Sequence, residues 1–432
     1  MKATYHNIVK YIYRLENKIA FYPTILSLLG MFFAMFMYYL EGLNISKYIF
    51  DHLPWLLIKN VETARTILAT FIGGLISIMV FSFSMVMILL NQASSNYSPR
   101  VLPGLISNRR HQVVLGIYNS CLLYCIFTLI AIKGSTGNKY ELAGFSILLA
   151  IVFMIFCLGA FIYFIHSISQ EIQINNIMSA IHKKAKKRLC KLIDSEKGEI
   201  SNFPDSTNWH VIVSKTSGYI EDISLEAISE KLKIKNAKAE ILVYKGEYVF
   251  KSKPIIKVSE EFEEAAQEDI CSGFHFSKSE LIEDNYLLAF KQLTEIIVKA
   301  MSPGINDPGT AINAIDYLTE LLMLRMQKKD FSYYYDATDA QVISTNSISF
   351  KSLLYNVMCA VRTYCKHDII LVQKLLGMFN NLMETSKIAN INYRSVVLHE
   401  LDSLHEDISH VIKNKNDLEV LELEITAIKN KF

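Results

Sequence analysis

Four long stretches with no Asp, Glu, Lys or Arg occupy the first third of this chain: residues 19–40, 66–99, 112–132 and 142–170. A helix rising 1.5 Å per residue needs ~20 residues to cross a ~30 Å hydrocarbon layer, and each stretch is long enough. Backbone N–H and C=O groups find no water in that layer, so apolar runs of this length are read as transmembrane helices. The chain has 432 residues, 51% hydrophobic and 20% charged, more apolar than a single soluble domain of this length would be. The first stretch begins with Pro23 and aromatic residues and lacks a small-residue cleavage pattern, so it is read as a span and not as a removable signal peptide.

Basic residues alternate between the two sides. Lys2, Lys10, Arg14 and Lys18 precede the first span, Arg100, Arg109 and Arg110 separate the second from the third, and Lys183, Lys184, Lys186, Lys187, Arg188 and Lys191 follow the fourth. The opposite side carries Lys47, Lys59, Arg65, Lys133 and Lys139. This bias places both termini in the cytoplasm. The formal net charge is +2, with the basic residues sorted by side, which gives no footprint for nucleic acid. None of the seven cysteines forms a CxxC pair, so neither a disulfide framework nor a metal centre is expected.

The rest of the chain divides by texture. Residues 43–61 are apolar but broken by Asp51, His52, Pro54 and Lys59, as expected of a segment at the outer surface with Tyr48 and Trp55 at headgroup level. No Gly or Pro falls between 161 and 197, so the fourth helix is expected to continue into the cytoplasm. There Lys183, Lys184, Lys186, Lys187 and Arg188 either meet the anionic leaflet, each adding ~1 kcal/mol of attraction, or form a solvated face. Short β-branched and aromatic runs with turns at Ser217-Gly218 and Lys245-Gly246 indicate a small β-rich, barrel-like module, loosely resembling the lipoyl type, with no modified lysine assigned. Beyond it, residues 281–301, 309–327, 350–365, 369–383, 393–412 and 416–429 show helical periodicity and imply a helical bundle. The expected layout is a membrane domain over 1–170, a basic helical linker over 171–206, a β module over 207–258 and a helical domain over 259–432.

Three constellations carry the functional reading. In the second span Thr70, Ser77, Ser84, Asn91 and Ser98 recur every seven residues, with Gly73, Gly74 and Ser95 beside them, in one slowly drifting stripe. Small polar residues of this kind serve either close helix packing or the wall of a water-filled path, in which Phe81 and Ile88 would set the narrow points. No charge lies at the centre of a span, which disfavours proton- or ion-coupled transport. Second, in KAMSPGINDPGTAINAID (residues 299–316), Pro303-Gly304 stops one helix and Asp307 caps the next, with Pro308 in its first turn. Ser302, Pro303, Gly304, Asn306, Asp307 and Thr310 therefore form either a structural loop or a place for a small cytoplasmic ligand. Third, Asp402, Glu406 and His410 share one face of a helix, either as metal ligands or as a solvated side with i, i+4 pairs. No P-loop, dinucleotide fingerprint, nucleophile elbow or HExxH is found, so neither an enzyme nor a cofactor is expected.

The string Ser302-Pro303-Gly304-Ile305-Asn306-Asp307-Pro308, followed by Thr310-Ala311 and preceded by Gln292-Leu293, occurs together with Asn96-Tyr97-Ser98-Pro99-Arg100. In these strings the chain resembles the bacterial predicted membrane proteins grouped as domain of unknown function 2254, and the resemblance covers nearly the whole chain. It implies a four-span inner-membrane protein with a cytoplasmic domain. Many members have an aromatic after the Asp-Pro pair, where this chain has Gly309. The expectation that follows from spans, stripe and large cytoplasmic part is a homo-oligomeric ion channel or pore, its second helix lining the path and its cytoplasmic domain regulating it. The alternative is a membrane-anchored sensor or scaffold that binds a ligand or protein partner.

Overall fold

The computed structural model describes residues 21–43, 45–52, 58, 60–96, 109–132, 144–171, 173–196, 203–280, 284–335, 340–388 and 393–431. Several expectations lie outside these: the basic residues before the first span, Arg100, Lys133, Lys139, Trp55, and the Tyr97 to Arg100 part of the motif. The chain divides into two compact units, Met1–Gln173 and Ile174–Phe432.

Four helices of the first unit are long and apolar enough to cross a membrane. They are α1 (Phe21–Gly42), α3 (Val61–Asn96), α4 (Arg109–Ala131) and α5 (Gly144–Glu171), with a short α2 (Ile45–His52) after the first. All four expected spans are present. Their large side chains, among them Leu29, Phe32, Phe36, Ile130, Phe156 and Ile162, remain exposed on the perimeter. Such exposure would be unfavourable in water and costs nothing in lipid.

Inside this unit, small residues set the spacing. A Cβ on Gly30 of α1 would come within 2.6 Å of the Ser120 carbonyl oxygen of α4, and one on Gly116 within 3.2 Å of Pro23 Cα. Phe33, Tyr124 and Phe153 then pack ring to ring across α1, α4 and α5. At one end Glu41 accepts hydrogen bonds from Ser46 Oγ (2.6 Å), Ser146 N (2.9 Å) and Ser146 Oγ (2.9 Å), while Ser46 Oγ accepts from Phe145 N (2.9 Å). A carboxylate on the first free N–H groups of α5 satisfies them and complements the helix dipole. The acidic end of α1 and the short α2 thus cap the fourth span.

The second unit begins with α6 (Ile174–Asp194). The expected continuous helix is interrupted, because α5 ends at Glu171 and α6 starts at Ile174. Met178, Ala185 and Leu189 of α6 are buried against α9 (Tyr286–Ala300) and α10 (Pro308–Gln327). The same core takes in α11 (Phe350–Cys365), α12 (Ile369–Ile388), α13 (Arg394–Val411) and α14 (Lys415–Lys431). These six helices after α6 match the expected periodic segments, because each buries the apolar stripe that its spacing defines.

The strands depart from expectation. One sheet has the order β1 (His210–Val213), β5 (Pro254–Val258), β3 (Ala239–Ile241), β8 (Gln341–Asn346), β7 (Phe331–Tyr335), and the other β4 (Tyr248–Val249), β2 (Gly218–Ile223), β6 (Phe274–Ser277). They do not close into a barrel among the described residues. Residues 259–432 are also not wholly helical, since β6, β7 and β8 come from that tract. β8 pairs parallel with β3, Ala239 opposite Ile343, about 100 residues apart in sequence. Pairing at that distance has no local turn signal. Two short helices, α7 (Leu225–Leu232) and α8 (Glu264–Cys271), cover this part, whose core includes Ile228, Ile241, Ile256, Phe274 and Ile343.

Arg325 joins the two parts of the second unit. It is fully buried, and its guanidinium donates to the Lys328 carbonyl (2.8 Å), Asp330 Oδ1 (2.5 Å) and the Ile348 carbonyl (2.7 Å). Asp330 Oδ1 also accepts from Phe350 N (3.1 Å) at the start of α11. Next to it, Lys328 lies 3.2 Å from Glu196 Oε1, and burial pushes its ammonium below the ordinary lysine range, against the pull of Glu196.

Two outcomes are expected. Gly30→Val forces α1 from α4 at a cost of ~1–3 kcal/mol and lowers the thermal unfolding temperature in detergent, while Gly73→Ala, with nothing within 4 Å of its Cβ, leaves it unchanged. Arg325→Ala leaves the half-buried Asp330 and two inward carbonyls without their donor and destabilises the second unit by ~2–4 kcal/mol, read as a large increase in proteolysis within residues 174–432 of the full chain.

Candidate functional site

Helix α3 has two opposite faces. Ala64, Leu68, Leu75 and Ser82 are buried against α4 and α5. At ~100° per residue these four fall on one line, and Leu75 and Ser77, two positions apart, point ~200° from each other. Thr70, Ser77, Ser84 and Asn91 accordingly lie on the side away from the packed seam, and all four are exposed in the single chain. Among the described residues, the stripe does not take part in the packing of α3 against α4 and α5. Ser82, outside the heptad, is the hydroxyl that faces inward, in the same interior as the Tyr118 ring.

The stripe is not chemically uniform. Thr70 Oγ1 donates to the Thr66 carbonyl (2.8 Å) and Ser77 Oγ to the Gly73 carbonyl (2.9 Å), so those hydroxyls are satisfied by their own helix. A side-chain amide such as that of Asn91 has two donor hydrogens and an acceptor, more than one backbone carbonyl can satisfy. Ile88 is exposed, whereas Phe81, also exposed, meets Phe161 of α5 edge to face at 5.9 Å. Ser95 belongs to the last turn of α3.

The loop between α9 and α10 is closed by its own hydrogen bonds. Ile305 N and Asn306 N donate to the Ser302 carbonyl (both 3.0 Å), Ser302 Oγ to the Lys299 carbonyl (2.7 Å), and Asp307 N to the Ala300 carbonyl (2.8 Å). Asn306 sits at φ 49°, the left-handed turn that reverses the chain after Pro303-Gly304. Asp307 caps α10, Oδ1 accepting from Thr310 N (3.1 Å) and Oδ2 from Thr310 Oγ1 (2.6 Å), with Pro308 following. The Thr310 hydroxyl and amide hold the Asp307 carboxyl below its ordinary 3.8. Pro303, Gly304, Asn306 and Asp307 are exposed, and the cap occupies the N–H group that an anion would need.

The basic helix is amphipathic. Lys183, Lys184 and Lys187 are exposed, Lys186 lies 3.5 Å from Glu320, and Arg188 lies 3.9 Å from Asp284. His182, on the buried side, is 3.0 Å from the same Glu320, and burial lowers its pKa. On α13, Asp402 lies 2.6 Å from Lys429 of α14, and Asp407 holds Arg362 (3.1 Å) and Lys366 (3.0 Å) of α11. Its acids thus tie the helices together. No cluster of three metal-ligating side chains occurs among the described residues. Residues that sequence reasoning passed over are Glu41 and Ser46, Arg325 with Asp330, and Lys328 with Glu196. The lone acid ending an apolar span was the visible signal for the first pair, while the others are brought together only by the fold.

Asp307→Ala is expected to remove ~1 kcal/mol of stability at neutral pH. Because folding lowers this carboxyl's pKa, the cap contributes fully above the ordinary carboxylate value and is lost as pH falls through the folded value. The difference in unfolding temperature between wild type and Asp307→Ala should therefore shrink in acid.

The comparisons with known proteins agree with this architecture. Curated relatives include uncharacterised proteins of Mycobacterium bovis and of Mycobacterium tuberculosis (strain H37Rv). Each is 24% identical over 310 residues, covering 65% of this chain and 54% of theirs. The chain thus spans about half the length of the curated relatives it matches. No solved structure matches it. A family model described as predicted membrane protein, domain of unknown function 2254, matches residues 16–381, and the chain belongs to that family.

Proposed function

We propose that this chain is one subunit of a homo-oligomeric channel of the bacterial inner membrane, with both termini in the cytoplasm and α3 lining the path. The observation that carries the reading is the opposition of faces on α3. Its apolar seam at Ala64, Leu68 and Leu75 packs within the chain, and its polar heptad at Thr70, Ser77, Ser84 and Asn91 is turned outward. Thr70, Ser77 and Ser84 lie within the apolar span Val61–Leu89, where their outward face meets hydrocarbon in a single chain but meets the same helix of neighbouring copies, or water held between them, in an assembly, and Asn91 stands just past the end of that span. The absence of charge at the centres of the spans suits passive permeation. The second unit is the regulatory part in this reading, and Lys183, Lys184 and Lys187 are the cations offered to the anionic leaflet.

A second reading, a membrane-anchored sensor or scaffold, is favoured by the size and separate core of residues 174–432. The two readings differ in what the stripe does. In detergent the protein should run as an assembly of several chains, and in reconstituted vesicles Ser84→Leu should reduce ion flux at least tenfold. A particle holding a single chain, or equal flux through wild type and Ser84→Leu, would remove the channel and leave the anchored sensor.

A further inference from the structure

Within the second unit, a cavity of about 310 Å³ opens where the end of α6, the Lys245-Gly246 turn, the start of α9 and the β7–β8 hairpin converge. Its volume is that of a small-molecule site. Four cations line it, Arg188, Lys245, Lys328 and Lys329, against two carboxylates, Glu196 and Asp284. The lining residues carry two more positive than negative charges, with Asp222 facing Lys245 at 3.8 Å from just outside the lining, in a region where Lys328 is 5% exposed and Glu196 13%. Phe331, Tyr333 and Tyr335, on one side of β7, and Tyr244 give it an aromatic lining.

Two further features set this cavity apart from an ordinary packing gap. Four buried polar atoms without a hydrogen-bond partner belong to residues that line it: Arg188 Nε, Asn346 Oδ1, Glu196 Oε1, which faces the Lys328 ammonium at 3.2 Å, and the Tyr286 hydroxyl, which lies near the Arg325 guanidinium without a well-formed bond to it. Buried polar groups left unmatched cost ~1–3 kcal/mol each, and a ligand that matches them recovers that cost. The rim is also held in one shape. Gly246 has φ 91°, and a Cβ there would fall 2.0 Å from Asn285 Nδ2, so only glycine lets this turn close on the N-terminus of α9. Asn285 caps α9 by accepting from Leu287 N (3.1 Å).

We propose that this cavity binds a phosphorylated compound with a planar ring, of the size of a nucleoside monophosphate. Its phosphate is held by Arg188, Lys245 and Lys328, and its ring lies against Tyr333 and its aromatic neighbours. The positive surplus of the lining favours an anion of low charge such as a monophosphate, while Glu196, Asp284 and Asp222 oppose the greater charge of a triphosphate. Asn346 supplies a side-chain amide for a polar edge of the ring. The site is argued from the second unit alone and stands whether or not the membrane unit conducts.

The test is calorimetric titration of the full chain in detergent with AMP, GMP, CMP and UMP, and with adenosine and inorganic phosphate as half-ligands. At least one monophosphate should bind, at least tenfold tighter than either half-ligand. Lys245→Ala and Tyr333→Ala should each weaken that binding tenfold or more. Neither belongs to the Arg325 hydrogen-bond cluster, and the fold is checked by an unchanged unfolding temperature without ligand. Absence of binding by all four monophosphates, binding of phosphate as tight as that of the monophosphates, or binding unaltered in both folded variants overturns the proposal. Ion flux measured in the same preparations reports separately on the channel reading.

Discussion

A hydrocarbon layer offers no partner to a backbone amide, and the first unit is organised by that constraint. Helices satisfy their own amides along their length, but the first N–H groups of each helix remain unmet. In α5 they are met by Glu41 and Ser46, side chains from the end of α1 and from α2, about a hundred residues earlier in the chain. Once the ends are satisfied, cohesion between helices cannot come from water avoidance, because lipid tails are as apolar as leucine. It comes from close approach instead, which explains why Gly30 and Gly116 sit where α1 and α4 are nearest.

The second unit solves the opposite problem. In water, burial of leucine, isoleucine and phenylalanine drives assembly, and the helices from α9 to α14 share one such core with α6. The polar elements buried with it are few and connected. Arg325 gathers two carbonyls and Asp330, and Asp330 in turn caps α11, so a single guanidinium sets the path of the chain from α10 through the β7–β8 hairpin into the next helix. Buried pairs of this kind contribute modestly as net stability, and their removal is costly because each partner is left without its match.

Between them, the two units explain why polar residues of similar type have different meanings along the chain. Asp307 and Thr310 satisfy each other at an exposed helix start, and Asp402 and Asp407 tie neighbouring helices together. Thr70 and Ser77 are tied back to their own carbonyls, whereas Arg188, Asn346 and Tyr286 keep buried atoms unmatched around a cavity. A polar side chain that already has its partner is structural, and one that lacks it in a buried place is where a ligand is to be sought.

Local pattern decided much of this protein. Four spans and six later helices were legible because period, length and absence of charge act within one segment, and the Asp307 cap was legible because cap and helix are adjacent in sequence. The heptad on α3 showed in the sequence as a stripe, but which way it turned depended on Leu68 and Leu75 finding α4 and α5. Pairing of β3 with β8, the Arg325 cluster and the cavity bounded by Arg188, Lys245 and Lys328 were decided by tertiary structure alone. The strand partners and the walls of the cavity come from segments about a hundred residues or more apart, and no property of one segment reports what another will place against it.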